Sequence, residues 1–213
     1  MTDTDLPILP PAEARVLGCL IEKKELTPDI YPLTLNAAHA AANQKTAREP
    51  VMALELAEIA RAFGQLEQKG LVRRAFASRV ERYEHSVAQR FSLTSSQIAV
   101  LGLMLLRGPQ TAYELLVRAE RMARFSSIEA LRADLDLLIG RRPPLVVLLE
   151  RGPGQREERY AHLLSGAVQM PASAASVQRS SPASDLEARV EALEEELAQL
   201  RARIDALTGE GRS

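Results

Sequence analysis

Apolar positions along this chain recur at two spacings, and the switches between them outline two similar blocks. From Pro11 to Lys24 the spacing is helical, with Pro11 in the first turn, where a missing amide costs nothing. A second, alanine-rich helix is predicted after Thr34, ending near Asn43, and a third carries Leu56, Ile59, Ala60, Phe63 and Leu66 on its buried face. Gly70 stops that helix. The pattern then turns to β-prone runs at Leu71 to Phe76 and Val80 to His85, joined at Ala77 and Ser78.

The same order returns further along. Leu93 to Leu105 repeats Leu9 to Ile21, with Val-Leu-Gly in the core stripe of both copies, and Val-Glu-Arg-Tyr-Glu-His at 80–85 returns as Glu-Glu-Arg-Tyr-Ala-His at 157–162. Capping boxes are expected at Thr94 with Gln97, Thr111 with Glu114 and Ser126 with Glu129. Ile128, Leu131, Leu135 and Leu138 form the next buried stripe, Pro143 and Pro144 close it, Leu145 to Glu150 reads as a strand, and Gly152-Pro153-Gly154 as a hairpin tip. Three helices closed by a hairpin is the winged-helix order. The expected fold is therefore mainly α with small β-hairpins (α+β): winged-helix domains at 7–88 and 90–165, a flexible linker at 166–184, and a coiled-coil helix at 185–208.

That last helix is drawn by Leu186, Val190, Leu193, Leu197, Leu200, Ile204 and Leu207, which alternate steps of four and three as a heptad seam does. In a parallel pair Arg189 meets Glu194 and Glu196 meets Arg201, whereas an antiparallel pair sets like charges opposite one another. A parallel homodimer is the expectation; an isolated solvated helix is the alternative.

Composition narrows the function more by exclusion than by pointing. With 27 basic and 28 acidic residues, no global field advertises a polyanionic partner, so any basic site must be local. The single cysteine, Cys19, lies in an apolar helical run, which rules out an internal disulfide and reads as core filler. No apolar run reaches the roughly 18 residues of a membrane span, and a cytoplasmic location without membrane contact is expected. His39, His85 and His162 do not converge with thiols or carboxylates at ligand spacing; His85 and His162 each share a sheet face with the tyrosine two residues before, a structural arrangement. No catalytic residue, metal or cofactor is expected, and the chain reads as a non-enzyme.

The candidate contacts for double-stranded DNA are cationic. Arg73, Arg74, Arg79 and Arg82 surround the first hairpin, Arg151 and Arg156 the second, while Arg118, Arg121 and Arg124 advance by threes on one helical side. Lys45 and Arg48 sit between the second and third helices, where a helix-turn-helix nears the phosphate backbone, and Arg61 lies on the outer face of the third helix. Residues 89–165 carry 11 basic and 8 acidic side chains. Against this, the reader faces are not strongly basic: Glu55, Glu58, Gln65 and Gln68 flank Arg61, and Glu129 and Asp136 flank Arg132. One alternative is that these arginines are solvated surface, many of them paired with Glu81, Glu84, Glu157 and Glu158; a separate one is that the winged helices are protein-interaction modules that grip another protein.

Several longer stretches resemble the YceH-like family of uncharacterised bacterial proteins. They are Ala14 to Glu22 (ARVLGCLIE), Tyr31 to Asn36 (YPLTLN), Asn43 to Thr46 with Arg48 to Val51, Ser78 to His85, Leu106 to Thr111, and Arg159 to Leu164. The resemblance implies tandem winged helices and supplies no activity.

Overall fold

The computed structural model describes residues 6–75, 80–151 and 157–166. The predicted linker beyond 166 and the whole heptad seam lie outside the described residues, as do Arg79 and Arg156.

The chain folds as a mixed, mainly helical α+β structure. Helix α1 (Pro11–Leu26) leads through a 3₁₀ turn (Pro28–Ile30) and a two-residue strand β1 (Leu33–Thr34) into α2 (Leu35–Ala42), α3 (Leu56–Gln68) and a hairpin of β2 (Val72–Ala75) and β3 (Arg82–His85). A short α4 (Val87–Phe91) connects to α5 (Ser95–Arg107), α6 (Ala112–Ala119), α7 (Ile128–Ile139) and a second hairpin, β4 (Val146–Leu149) with β5 (Arg159–His162). Both hairpins are antiparallel; β3 also pairs with β1, setting Leu33 opposite Tyr83, and the second lobe keeps that feature as one bridge between Gln110 and Tyr160.

Local chemistry explains the starts and stops. Thr34, Thr94 and Thr111 accept from the amides of Ala37, Gln97 and Glu114, relieving unsatisfied first-turn donors. The cap of α7 is Ser127, accepting from Ala130, not the expected Ser126. Within α3, Ile59, Ala62, Phe63 and Leu66 are buried, while Leu56 and Ala60, expected inside, are exposed. Leu56 is the first residue of the helix and shares a face with Ile59 and Phe63, so its exposure comes from its place at the helix end.

The two repeats are built with the same bonds. Arg82 donates to the carbonyl of Pro32 at 2.8 Å and Arg159 to that of Pro109 at 2.9 Å. Tyr83 and Tyr160 are both buried, and Tyr83 stacks on Phe63 with ring centroids 3.9 Å apart. The recurring Arg-Tyr-x-His therefore ties each hairpin to the segment before its second helix and to the core.

The described residues lie in one compact unit with one apolar core. Every residue from Glu13 to Glu22 of α1 and from Gln97 to Leu106 of α5 is buried, so these are central helices without a solvent face. They pack on each other at the glycines of the repeated Val-Leu-Gly. A Cβ on Gly18 would stand 2.9 Å from Leu106 and 3.2 Å from Leu105, and one on Gly102 would stand 2.6 Å from Ile21. Gly18 with Leu105 and Gly102 with Ile21 are reciprocal pairs in the repeat, which is how a twofold interface contacts itself. The chain ahead of each central helix follows the rule to within a residue: Leu9 N–H donates to the Leu164 carbonyl, Leu93 N–H to that of Ala88. Within the one compact unit, the residues up to Ala88 and those from Gln89 on, here called the first and second lobes, thus meet reciprocally at the repeated glycines, a pseudo-twofold relation.

Candidate nucleic-acid interface

Burying α1 on all sides forces its polar side chains to find partners inside. Arg15 donates to the carbonyls of Ala42 (3.2 Å) and Pro50 (2.6 Å). Seven residues on, along the same face, Glu22 accepts two bonds from Arg48, at 3.0 and 2.6 Å. Arg48 also donates to the carbonyls of Ala41 and Ala47 and to Gln44 Oε1. Its side chain has no exposed surface, so the expectation that it contacts phosphate is corrected: Arg48 clamps the α2–α3 connection to α1. Burial raises the Glu22 carboxyl, but the Arg48 bonds and charge outweigh it and leave the group below its usual range. Burial pushes the neighbouring Cys19 thiol up to about 11, keeping it protonated and inert.

The connection is pinned from its other side as well. Asn43 donates to the Leu54 carbonyl and accepts from the Leu54 amide, and Glu49 N–H donates to the Leu106 carbonyl at the end of α5. Lys45 is left exposed, with no hydrogen bond or ion pair among the described residues.

The first hairpin is electrically quieter than its arginines imply. Arg73 bonds Glu84 at 2.7 Å, and Arg74 bridges Glu67 at 3.0 Å and Glu81 at 2.8 Å. Arg82 serves the Pro32 carbonyl. In the second lobe, Arg118 bonds Gln110 at 2.5 Å and lies 3.7 Å from Glu114, and Arg151 is exposed with Glu158 at 3.9 Å. Arg61 on α3 and Arg121 and Arg124 between α6 and α7 are exposed and, among the described residues, carry no carboxylate within 4.0 Å. Among the described residues the predicted cations thus divide into a bonded set, Arg48, Arg73, Arg74, Arg82, Arg118 and Arg151, and an unpaired set, Lys45, Arg61, Arg121 and Arg124.

Beside Arg121 and Arg124 lies an open groove of about 1160 Å³, floored by Leu26, Leu116, Met122 and Phe125. The sequence reading missed it, because Leu26 and the α6–α7 connection belong to different repeats and meet only through the pseudo-twofold packing.

The histidines do not converge. His85 is buried and His162 half-buried on equivalent second strands, and desolvation drives both down to about 4, so they are neutral at pH 7. Among the described residues, neither ring nitrogen of His85 nor Nδ1 of His162 has a hydrogen-bond partner. Among the described residues, no three His, Cys, Asp or Glu side chains stand close enough to hold a metal ion, and no helix is long and apolar enough to cross a membrane.

Residues 9–155 match the family model described as a protein of unknown function, DUF480. A UPF0502 protein of Mesorhizobium japonicum is 74% identical over 208 residues, covering 96% of this chain and 99% of its own length. UPF0502 proteins of Xanthomonas campestris and Stenotrophomonas maltophilia are 53% and 48% identical, each alignment covering at least 97% of this chain and 96% of the relative. With most of its length matched and near-complete relatives at these identities, the chain belongs to the DUF480/UPF0502 family of bacterial proteins, in agreement with the resemblance carried by its motifs.

Proposed function

We propose that this protein is a tandem winged-helix, transcription-regulator-like factor that binds double-stranded DNA in the cytoplasm without catalysing a reaction. Each lobe runs helix, helix, helix, hairpin, the order in which a third helix and the connection before it approach a duplex. The observation that carries the reading is the placement of the unpaired cations. Lys45, Arg121 and Arg124 stand on the two pseudo-twofold-related connections, and Arg61 on the outer face of α3. Cations already held by glutamates have less to gain from phosphate, so weight moves from the hairpins to the connections. The heptad seam from Leu186 to Leu207 would pair two chains in parallel and double the footprint.

A second reading, a protein-interaction scaffold, is favoured by the exposed Tyr113 and Val117, one turn apart on α6, and Leu137 on α7. A titration with mixed genomic fragments at low and raised salt separates the two. DNA binding predicts an affinity that falls steeply with salt, and an Arg121→Ala/Arg124→Ala variant whose log–log slope is shallower by about 2. Absence of salt-sensitive binding removes the DNA reading and leaves the scaffold.

A further inference from the structure

The third helices of the two lobes correspond residue by residue. The amide that leads into each hairpin, Leu71 or Leu145, donates to a carbonyl of the helix before it, Leu66 or Leu138, so these two helical leucines occupy the same place. Counting back from them, buried Phe63 and Ile59 fall on buried Leu135 and Leu131, and the helix starts, Leu56 and Ile128, coincide. The outward faces do not agree. Along α3 one line runs Ala57, Arg61, Gly64, Gln68, with Gln65 beside it. The same line along α7 and its cap holds Glu129, Ala133, Asp136 and Gly140, with Leu137 beside it.

We infer that base sequence is read by the first lobe alone, with Arg61, Gln65 and Gln68 of α3 as the specificity-determining side chains and the major-groove edges of guanine and adenine as their targets, a division between the lobes that rests on the DNA-binding reading above. All three side chains are exposed and make no hydrogen bond or ion pair among the described residues, so their polar atoms are free for a partner. A guanidinium fits the paired acceptors O6 and N7 of guanine, and a carboxamide fits the N6 donor and N7 acceptor of adenine. Close approach is sterically open: a Cβ on Gly64 would meet nothing within 4 Å, and Ala57 and Ala60 add little bulk. The acids within α3 stand off this line and are engaged, Glu58 accepting the Glu55 amide at 2.8 Å and Glu67 bonding Arg74 at 3.0 Å. Glu55 is exposed, but it caps the helix ahead of the line. On α7 the acids Glu129 and Asp136 lie on the line itself. One carboxylate can accept from cytosine, but two on one line with no cation between them are repelled by the phosphates on either side of a groove. The one arginine of α7, Arg132, stands where α3 has Ala60, off the line, and Leu137, 62% exposed in the place of Gln65, offers no hydrogen bond to a base. The second lobe contributes phosphate contacts through Arg121 and Arg124 and no base reading.

The test incubates the full chain at low salt with a pool of duplexes randomised over about two helical turns and sequences the fraction retained. Enrichment of a short motif containing guanine and adenine is expected. On the selected duplex, Gln65→Ala/Gln68→Ala should weaken binding about tenfold and relax the motif at its adenines. Its salt dependence should stay unchanged, because no charge is removed; a contact to phosphate alone would leave the motif intact. Arg61→Ala should relax the motif at a guanine. Gly64→Asp, which sets on α3 the acid that α7 carries at the same place, should weaken the selected duplex at least about tenfold. Glu129→Gln/Asp136→Asn in α7 should leave the motif as it is. Retention of duplex without an enriched motif overturns the inference and leaves the DNA reading standing. A motif that survives Gln65→Ala/Gln68→Ala, an unchanged affinity in Gly64→Asp, or a motif altered by the α7 variant overturns it as well. Retention of no duplex at all removes both.

Discussion

At the scale of single residues, burial decides which charges matter. The Arg48–Glu22 pair and the Arg73–Glu84 pair have similar hydrogen-bond lengths, yet Arg48 is fully enclosed and the Arg73 side chain is 63% exposed. Arg48→Ala strands a buried carboxylate and frees the α2–α3 connection, and is expected to cost about 3–5 kcal/mol in urea unfolding. Arg73→Ala should cost less than about 1 kcal/mol. Equal losses would mean that the clamp is not the anchor of that connection. His85 and His162 add a pH dependence whose sign follows from their lowered values. Unfolded, each takes up a proton near pH 6.5; folded, only near 4, so the unfolded state binds more protons in between. Their contribution is intact above about pH 6.5, declines as the pH falls toward 4, and amounts to roughly 3 kcal/mol each. His85→Phe should flatten that decline in thermal melts between pH 7 and 4; an unchanged slope would place the dependence elsewhere. Sequence marked Arg48 as a surface cation because Glu22, its partner, stands 26 residues away. The available signal was in α1 itself: two charged residues, Arg15 and Glu22, seven positions apart on one face of an otherwise apolar run.

At the scale of elements, most helix starts were legible because their causes are local, though the α7 cap falls on Ser127 and not on Ser126. Threonine caps, the proline in the first turn of α1 and the period of each stripe act within four residues, so the sequence carries them whole. The inward or outward facing of Leu56 and Ala60 was not legible, since helical spacing alone does not fix where a stripe meets its neighbours. The two Val-Leu-Gly copies were legible as core, but their packing on each other was not, and this gives glycine opposite meanings in different helices. At Gly102 an added Cβ would stand 2.6 Å from Ile21, and at Gly64 in α3 it would meet nothing within 4 Å. Alanine gains about 1 kcal/mol of helix propensity at either site. Gly64→Ala should therefore stabilise by about 1 kcal/mol, whereas Gly102→Ala should destabilise by up to about 2 kcal/mol, the overpacking of roughly 1–3 kcal/mol less the gain. Adding Ile21→Val to Gly102→Ala should recover part of the loss, and a double-mutant cycle measures the coupling. No coupling would contradict the contact.

At the scale of the whole molecule, the α1–α5 packing determines whether the lobes behave as two domains or one. Both helices are buried along ten consecutive residues, and in each case part of that burial comes from the other lobe. A lobe alone would uncover a face of its central helix, including Leu105 and Leu106 on one side and Ile21 on the other, and would lose the bonds from Leu9 to Leu164 and from Glu49 to Leu106. The lobes are expected to unfold together, in a single transition that coincides by tyrosine fluorescence and far-ultraviolet circular dichroism. Tyr31 and Tyr83 report the first lobe and Tyr113 and Tyr160 the second, so paired tyrosine-to-phenylalanine variants reveal whether one lobe melts first. Gly102→Ala should lower that single midpoint without splitting it, since the strained contact belongs to both lobes. Two separated midpoints, or a shift confined to one lobe's tyrosines, would show that the reciprocal glycine contacts do not couple the halves. The relative placement of Lys45, Arg121 and Arg124 would then be adjustable on binding. With a coupled core it is set before any partner arrives.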